Sequence, residues 1–154
     1  MSDAPGGEFP SIPDRFQDPA VIDRILRESR VIAVVGLSSN PRRDSHQVSR
    51  YLLEHGYRII PVNPTETEVL GQRSYPSLLE VPEPIDVVDV FRRAEAVPEI
   101  AEQAVRVGAK VFWLQLDIFS FEGAKIAEDG GLTVVMNRCL EIEHAKRRGL
   151  GLRA

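Results

Sequence analysis

The stretch Gly36-Leu37-Ser38-Ser39-Asn40-Pro41-Arg42-Arg43-Asp44-Ser45-His46 concentrates groups that bind anions. Gly36 permits a tight turn and a close backbone approach. Ser38 and Ser39 offer hydroxyls and N–H groups, and Asn40 follows them. Asp44 or Ser45 caps a helix whose first N–H groups and positive dipole end point at whatever the loop holds. Arg42 and Arg43 add two permanent charges that can fork onto phosphate oxygens. The chemistry this predicts is electrostatic capture of a phosphate-bearing ligand. Two adjacent arginines also suit a solvated turn; the position of this loop among the surrounding elements favours the phosphate.

The loop departs from the standard dinucleotide fingerprint, which needs Gly at its first, third and sixth positions. Here the third is Ser38 and the sixth is Pro41. NAD also calls for an Asp or Glu at the end of the second strand to grip the ribose. That strand ends Pro61-Val62-Asn63-Pro64, without an acid. No Gly-Lys-Ser/Thr phosphate loop is present. His46, His55 and His144 have no metal-like spacing with carboxylates or with Cys139. His46 falls in the first helical turn facing the crevice, where ligand contact and packing are both open. His55 lies near a helix C-terminus, which favours its partial positive charge. Trp113 reads as core. Arg92 and Arg93 follow the third strand, where one of them can reach a cofactor. Cys139 follows the last strand. Facing the crevice, it would form a mixed disulfide with a thiol cofactor; buried, it is inert. Glu141, Glu143 and Asp117 do not form a convincing acid/base pair.

These groups need a frame. Asp18 caps a helix with Pro19 in its first turn, and Val21, Ile22, Ile25 and Leu26 share one face. Val31–Val35 is uncharged and β-branched, as in the middle of a parallel sheet. A helix with Val48 and Leu52 inward follows, ended by Gly56. The second strand is 58–62. Residues 64–85 form an irregular excursion with a short helix capped by Ser77. The third strand is 86–91, then a helix over 94–107, the fourth strand over 111–115, a helix opened by Ser120, and the fifth strand over 132–136. This alternation predicts one α/β domain, a doubly wound, Rossmann-like, five-stranded parallel sheet with strand order 3-2-1-4-5. The order then reverses between the first and fourth strands, placing a ligand between the loops that start at Gly36 and Gln115.

A chain of 154 residues suits one domain. We expect a mobile leader over 1–17, the domain over 18–146 and a short tail over 147–154. The leader has neither a basic start nor an apolar run, so it does not read as a signal peptide. The formal net charge of −4 argues against nucleic acid as a general partner. The apolar runs are too short to cross a membrane. A single cysteine excludes an intramolecular disulfide and fits a reducing, cytoplasmic setting.

Several segments together resemble a known family: Ile32-Ala33-Val34-Val35-Gly36, Leu52–Tyr57, Pro61-Val62-Asn63-Pro64, Leu70-Gly71, Asp89-Val90-Phe91-Arg92, Trp113-Leu114-Gln115, and Arg138-Cys139 with Glu143-His144. The resemblance is to the small stand-alone CoA-binding proteins of bacteria and archaea, and it runs from about Arg30 to Lys146. That family is similar to the N-terminal domain of the succinyl-CoA synthetase α subunit. The likeness implies that coenzyme A is the cofactor, with its pyrophosphate on the loop from Gly36 to Ser45. Val62, Asn63 and Pro64 would border the adenosine, and Gln115, Leu116 and Asp117 would form a third contacting segment. The synthetase lysine after the second strand has no counterpart here, and Arg42 or Arg43 stands in its place as candidate partner of the 3′-phosphate. The aromatic stretch Asp117-Ile118-Phe119-Ser120-Phe121 departs from the family pattern. The function expected is non-catalytic binding of CoA or an acyl-CoA, with any protein partner left open. The competing class is an enzyme: a CoA-dependent transferase, or a nucleotide-dependent oxidoreductase that acts with a partner.

Overall fold

A computed structural model describes residues 11–150. Five parallel strands form the sheet: β1 (Val31–Val35), β2 (Arg58–Val62), β5 (Val87–Val90), β6 (Val111–Leu114) and β7 (Thr133–Met136). Between β2 and β5 lies a two-residue hairpin, β3 (Glu68–Val69) and β4 (Gln72–Arg73). Helix α1 (Pro19–Glu28) precedes β1. Helices α2 (Asp44–Glu54), α3 (Val97–Arg106) and α4 (Phe121–Asp129) occupy the β1–β2, β5–β6 and β6–β7 crossovers, and α5 (Leu140–Arg147) follows β7.

The sheet divides the interior into two layers because strand side chains alternate. Ile32 and Val34 of β1 join Ile22, Ile25 and Leu26 of α1, Val48 and Leu52 of α2 and Leu140 of α5 on one face. Ala33 and Val35 join Ile100, Ala101 and Ala104 of α3 and Ala124 and Ala127 of α4 on the other. The caps form as the sequence requires: Asp18 accepts from the Ala20 N–H, Ser77 from Leu79 and Ser120 from Gly123. At α2 the N-cap is instead Arg43, and no side chain caps it.

The strand order is β2-β1-β5-β6-β7. The doubly wound parallel sheet is as expected, but the order 3-2-1-4-5 is not. The third major strand, β5, crosses to the far side of β1 instead of adding outside β2. Pro61 supplies the reason. It sits in β2 opposite Val34 of β1, and its carbonyl points to the outer side of the strand, where it accepts from Tyr75. Its ring nitrogen faces the same way and has no hydrogen to give, so another parallel strand there would lose a ladder bond. The outer edge of β2 is covered instead by a single bridge, Val62 to Tyr75. The switch point therefore lies between β1 and β5, not between the first and fourth strands.

Packing also starts before the expected boundary at Asp18. Asp14–Gln17 is a 3-10 turn with Phe16 buried in the core. Gln17 donates to the Met136 carbonyl, and Arg15 forms a two-point ion pair with Glu128. Residues 1–10 of the expected leader and 151–154 of the expected tail lie outside the described residues; the tail's Arg147 ends α5 and pairs with Glu143.

Candidate functional site

At the carboxyl ends of β1 and β5 the surface opens into a cavity of about 870 Å³, within the about 300–1,000 Å³ typical of small-molecule sites. Its walls are the β1–α2 loop, the segment after β5 and the loop after β6. Gly36, Ser38, Arg42, Arg43, Ser45, Arg92, Leu116 and Asp117 line it, all of them expected from the sequence. Arg93 joins them, with Asp44, Phe91, Ala94, Glu95 and Ile118.

The loop is shaped from within. Gly36 has φ +91° and donates its N–H to the Val62 carbonyl. A Cβ at Gly36 would lie 2.5 Å from the Phe91 carbonyl oxygen and 2.9 Å from Arg92 Cδ. The N–H groups expected to be free are engaged. Ser38 donates to Ser45 Oγ, and Ser39 donates from both its N–H and its hydroxyl to Glu66. The turn is too tight to leave them pointing outward. Ser38 Oγ accepts from Asn40 N–H, and Asn40 Oδ1 accepts from Arg42 N–H. The mostly buried His46 places Nδ1 2.9 Å from the Ser38 carbonyl, so it braces the loop from beneath.

Several expected residues lie outside the cavity lining. Ser39 and Asn40 face the excursion or the solvent side of the loop. Val62 and Asn63 support it: Asn63 Nδ2 donates to the Leu37 carbonyl, while its Oδ1 accepts from Thr65 N–H and hydroxyl. Pro64 is exposed beside them. The acid absent from the end of β2 has a nearby relative in Glu66, but that carboxylate is occupied by Ser39.

What remains available is charge. Arg42, Arg43, Arg92 and Arg93 all line the cavity, and none makes a side-chain hydrogen bond or ion pair among the described residues. The carboxylates of Asp44, Glu95 and Asp117 share the rim. Some arginines elsewhere are paired, as Arg58 is with Glu83 and Gln72, whereas at this cavity four unpaired ones line one concave surface. Four unpaired guanidiniums beside the N-terminus of an eleven-residue helix make a candidate anion site.

Gln115 turns the other way, into a smaller cavity of about 310 Å³ beneath the first turns of α2 and α5. Cys139 also lines it, 7% exposed, at the N-cap of α5. Burial pushes the Cys139 thiol up; the Asp89 and Glu141 charges add to the rise, and N–H donors at Ile142 and Glu141 oppose it. That keeps the thiol protonated and slow to react. Asp89, in the middle of β5, is fully buried. Gln115 Nε2 donates to its Oδ1 at 2.8 Å, and its Oδ2 has no hydrogen-bond partner among the described residues. Desolvation pushes its carboxyl from an ordinary 3.8 up to about 7, against the opposing bond from Gln115.

Sequence reasoning passed over Asp89, although a carboxylate inside Val87-Val88-Asp89-Val90 is a visible anomaly. It named Asp44, Phe91 and Ile118 within its motifs without assigning them to the site, and it missed Glu95, which only the switch point brings there. Trp113 is core as expected, with Nε1 donating to the Arg138 carbonyl. His55 places Nδ1 against the Tyr51 carbonyl one turn back. Among the described residues no group of three or more His, Cys, Asp or Glu side chains could hold a metal, and no helix is long and apolar enough to cross a membrane.

Known proteins resemble this chain along most of its length. A model described as a CoA binding domain matches residues 30–145. The uncharacterized protein YneT of Bacillus subtilis is 46% identical over 132 residues, covering 84% of this chain and 98% of that protein. The ADP-forming acetate–CoA ligase II of Archaeoglobus fulgidus is 31% identical over 129 residues, covering 82% of this chain but 18% of the ligase. Among solved structures, a hypothetical protein from Pyrococcus horikoshii OT3 has a TM-score of 0.84 and 42% identity, over 90% of this chain and 98% of that one.

Proposed function

Because this chain belongs to the CoA-binding domain family, we propose that its arginine-lined cavity binds coenzyme A and that the domain does no chemistry of its own. The observation that carries this reading is the set of four unpaired arginines at the β1/β5 switch point. CoA presents a pyrophosphate and a 3′-phosphate, more anionic charge than NAD. The pyrophosphate lies on the loop from Gly36 to Ser45 and the α2 N-terminus, within reach of Arg42 and Arg43. The adenosine rests toward Val62, Asn63 and Pro64, and the pantetheine arm runs along Leu116 and Asp117. The setting is cytoplasmic, where CoA is available.

Calorimetry with CoA, dephospho-CoA and NAD tests the assignment. CoA binds, and NAD does not bind comparably. Losing one charge-assisted contact costs about 1.5–3 kcal/mol, roughly tenfold to a hundredfold in affinity. Arg42→Ala and Arg43→Ala therefore differ in effect, the larger marking the residue that meets a phosphate. If its partner is the 3′-phosphate, that variant loses the preference for CoA over dephospho-CoA; if it is the pyrophosphate, both ligands weaken alike. NAD matching CoA, or neither arginine mattering, defeats the reading.

A binding module has no turnover of its own. Purified protein is accordingly expected to hydrolyse acetyl-CoA and succinyl-CoA no faster than buffer, followed as free thiol released. Turnover that persists through repurification and disappears in an Arg42 or Asp117 variant would show a catalytic site instead.

A further inference from the structure

The smaller cavity adjoins the larger one. Asp44, Phe91 and Leu116 line both, so a ligand held by its phosphates in the first can extend into the second without leaving the protein. The second cavity has a different character. Its walls include Val48, Phe91, Leu116 and Ile142, and among the described residues no arginine or lysine lines it. Four large apolar side chains are strongly exposed among the described residues, Leu79, Leu116, Phe121 and Ile142. Two of them, Leu116 at 47% and Ile142 at 48%, meet at this one cavity. Apolar groups gathered around a concave mouth mark a surface that is covered when occupied. At the side of the cavity Gln115 is pinned by buried Asp89, so its amide is a fixed polar group in an otherwise adaptable wall.

From this we infer that the second cavity takes the acyl end of a CoA thioester, and that the protein selects short-chain acyl-CoA over free CoA. The inference rests on the CoA reading above. Size limits the chain. About 310 Å³ is the share of roughly ten waters in the liquid, and a methylene is about the size of a water, so the cavity holds the thioester and about seven carbons but not a dodecanoyl chain. Charge limits it too: Asp44 and Glu141 stand at the rim, so a neutral acyl group fits better than a dicarboxylic one.

The test measures affinity for CoA, butyryl-CoA, succinyl-CoA and dodecanoyl-CoA in the intact protein. Butyryl-CoA is expected to bind about tenfold more tightly than CoA, from partial burial of its three added carbons. Succinyl-CoA gains nothing over CoA, and dodecanoyl-CoA gains less per added carbon than butyryl-CoA does, because its chain outruns the cavity. Ile142→Trp, which fills the mouth, and Ile142→Asp, which charges it, both change an exposed side chain and leave the core intact. At least one of them should bring the butyryl-CoA to CoA affinity ratio to about one. A wild-type ratio below about threefold overturns the inference while leaving CoA binding intact, as does a ratio that survives both substitutions. If no CoA species binds at all, the CoA reading itself falls, and the inference falls with it.

Discussion

Gly36→Ala is expected to destabilise the fold by about 2–4 kcal/mol and to abolish measurable CoA binding. Two costs coincide at this position. The backbone φ of +91° is one that an L side chain rarely adopts. The added methyl would also sit 2.5 Å from a backbone carbonyl, that of Phe91, which has no rotamer to yield. Relief requires either the β1–α2 loop or the segment after β5 to move. Those are the two walls that carry Arg42, Arg43, Arg92 and Arg93, so the anion site opens as the clash relaxes. Gly71 provides the control. Its φ is +73°, but nothing lies within 4 Å of a Cβ there. Gly71→Ala is expected to cost only the backbone term, about 1 kcal/mol, and to leave CoA affinity unchanged. Urea denaturation compares the stabilities and calorimetry the affinities. A Gly36→Ala protein within 0.5 kcal/mol of wild type, the ordinary range for surface changes, would mean that the loop is not held as described.

The second large effect belongs to Asp89. Its folded-state pKa is raised from 3.8 to about 7 by burial. Between those values the folded protein holds a proton that the unfolded chain has released, so stability falls as pH rises. Below about pH 4 both states are protonated and the penalty is absent; above about pH 7 both are ionised and it is complete. The difference corresponds to on the order of 4 kcal/mol. Asp89→Asn keeps the oxygen that accepts from Gln115 and removes the ionisation. It should therefore match wild type near pH 4, exceed it by several kcal/mol at pH 8, and flatten the decline between. Urea midpoints across that range measure the difference, and carboxyl carbon NMR reads the titration directly. A midpoint near 4 for Asp89, or equal stabilities at pH 8, would show that the carboxylate is better solvated or better paired than the structure has it.

Much of this architecture is local, and local information is written in the chain. Asp18-Pro19, Ser77 and Ser120 cap where they stand because a side-chain oxygen two or three residues from an unpaired N–H needs no distant partner. Val31–Val35 is a central strand because it has no polar residue to turn toward water. The hairpin at Glu68–Arg73 was harder to see, since its turn places Leu70, not a glycine, at φ +55° ahead of Gly71. The packing of Asp14–Gln17 is equally hidden, because Phe16 finds its neighbours across the molecule rather than along the chain.

For the site, the sequence by itself determined the candidate anion-binding loop: Gly36, the two adjacent arginines and a helix start lie within eleven consecutive residues, and no fold can separate them far. It also determined that β2 is an edge strand, through Pro61, a signal that the expected order 3-2-1-4-5 overlooked. Only the tertiary structure decided which loops face that anion site. The crossing of β5 to the far side of β1 brought Phe91, Arg92 and Arg93 to the cavity, turned Gln115 away to Asp89, and left Val62 and Asn63 as supports. The reason is physical. Loop chemistry depends on neighbours in the chain, whereas strand order depends on which backbone edges can still donate, and that is settled between segments some thirty residues apart.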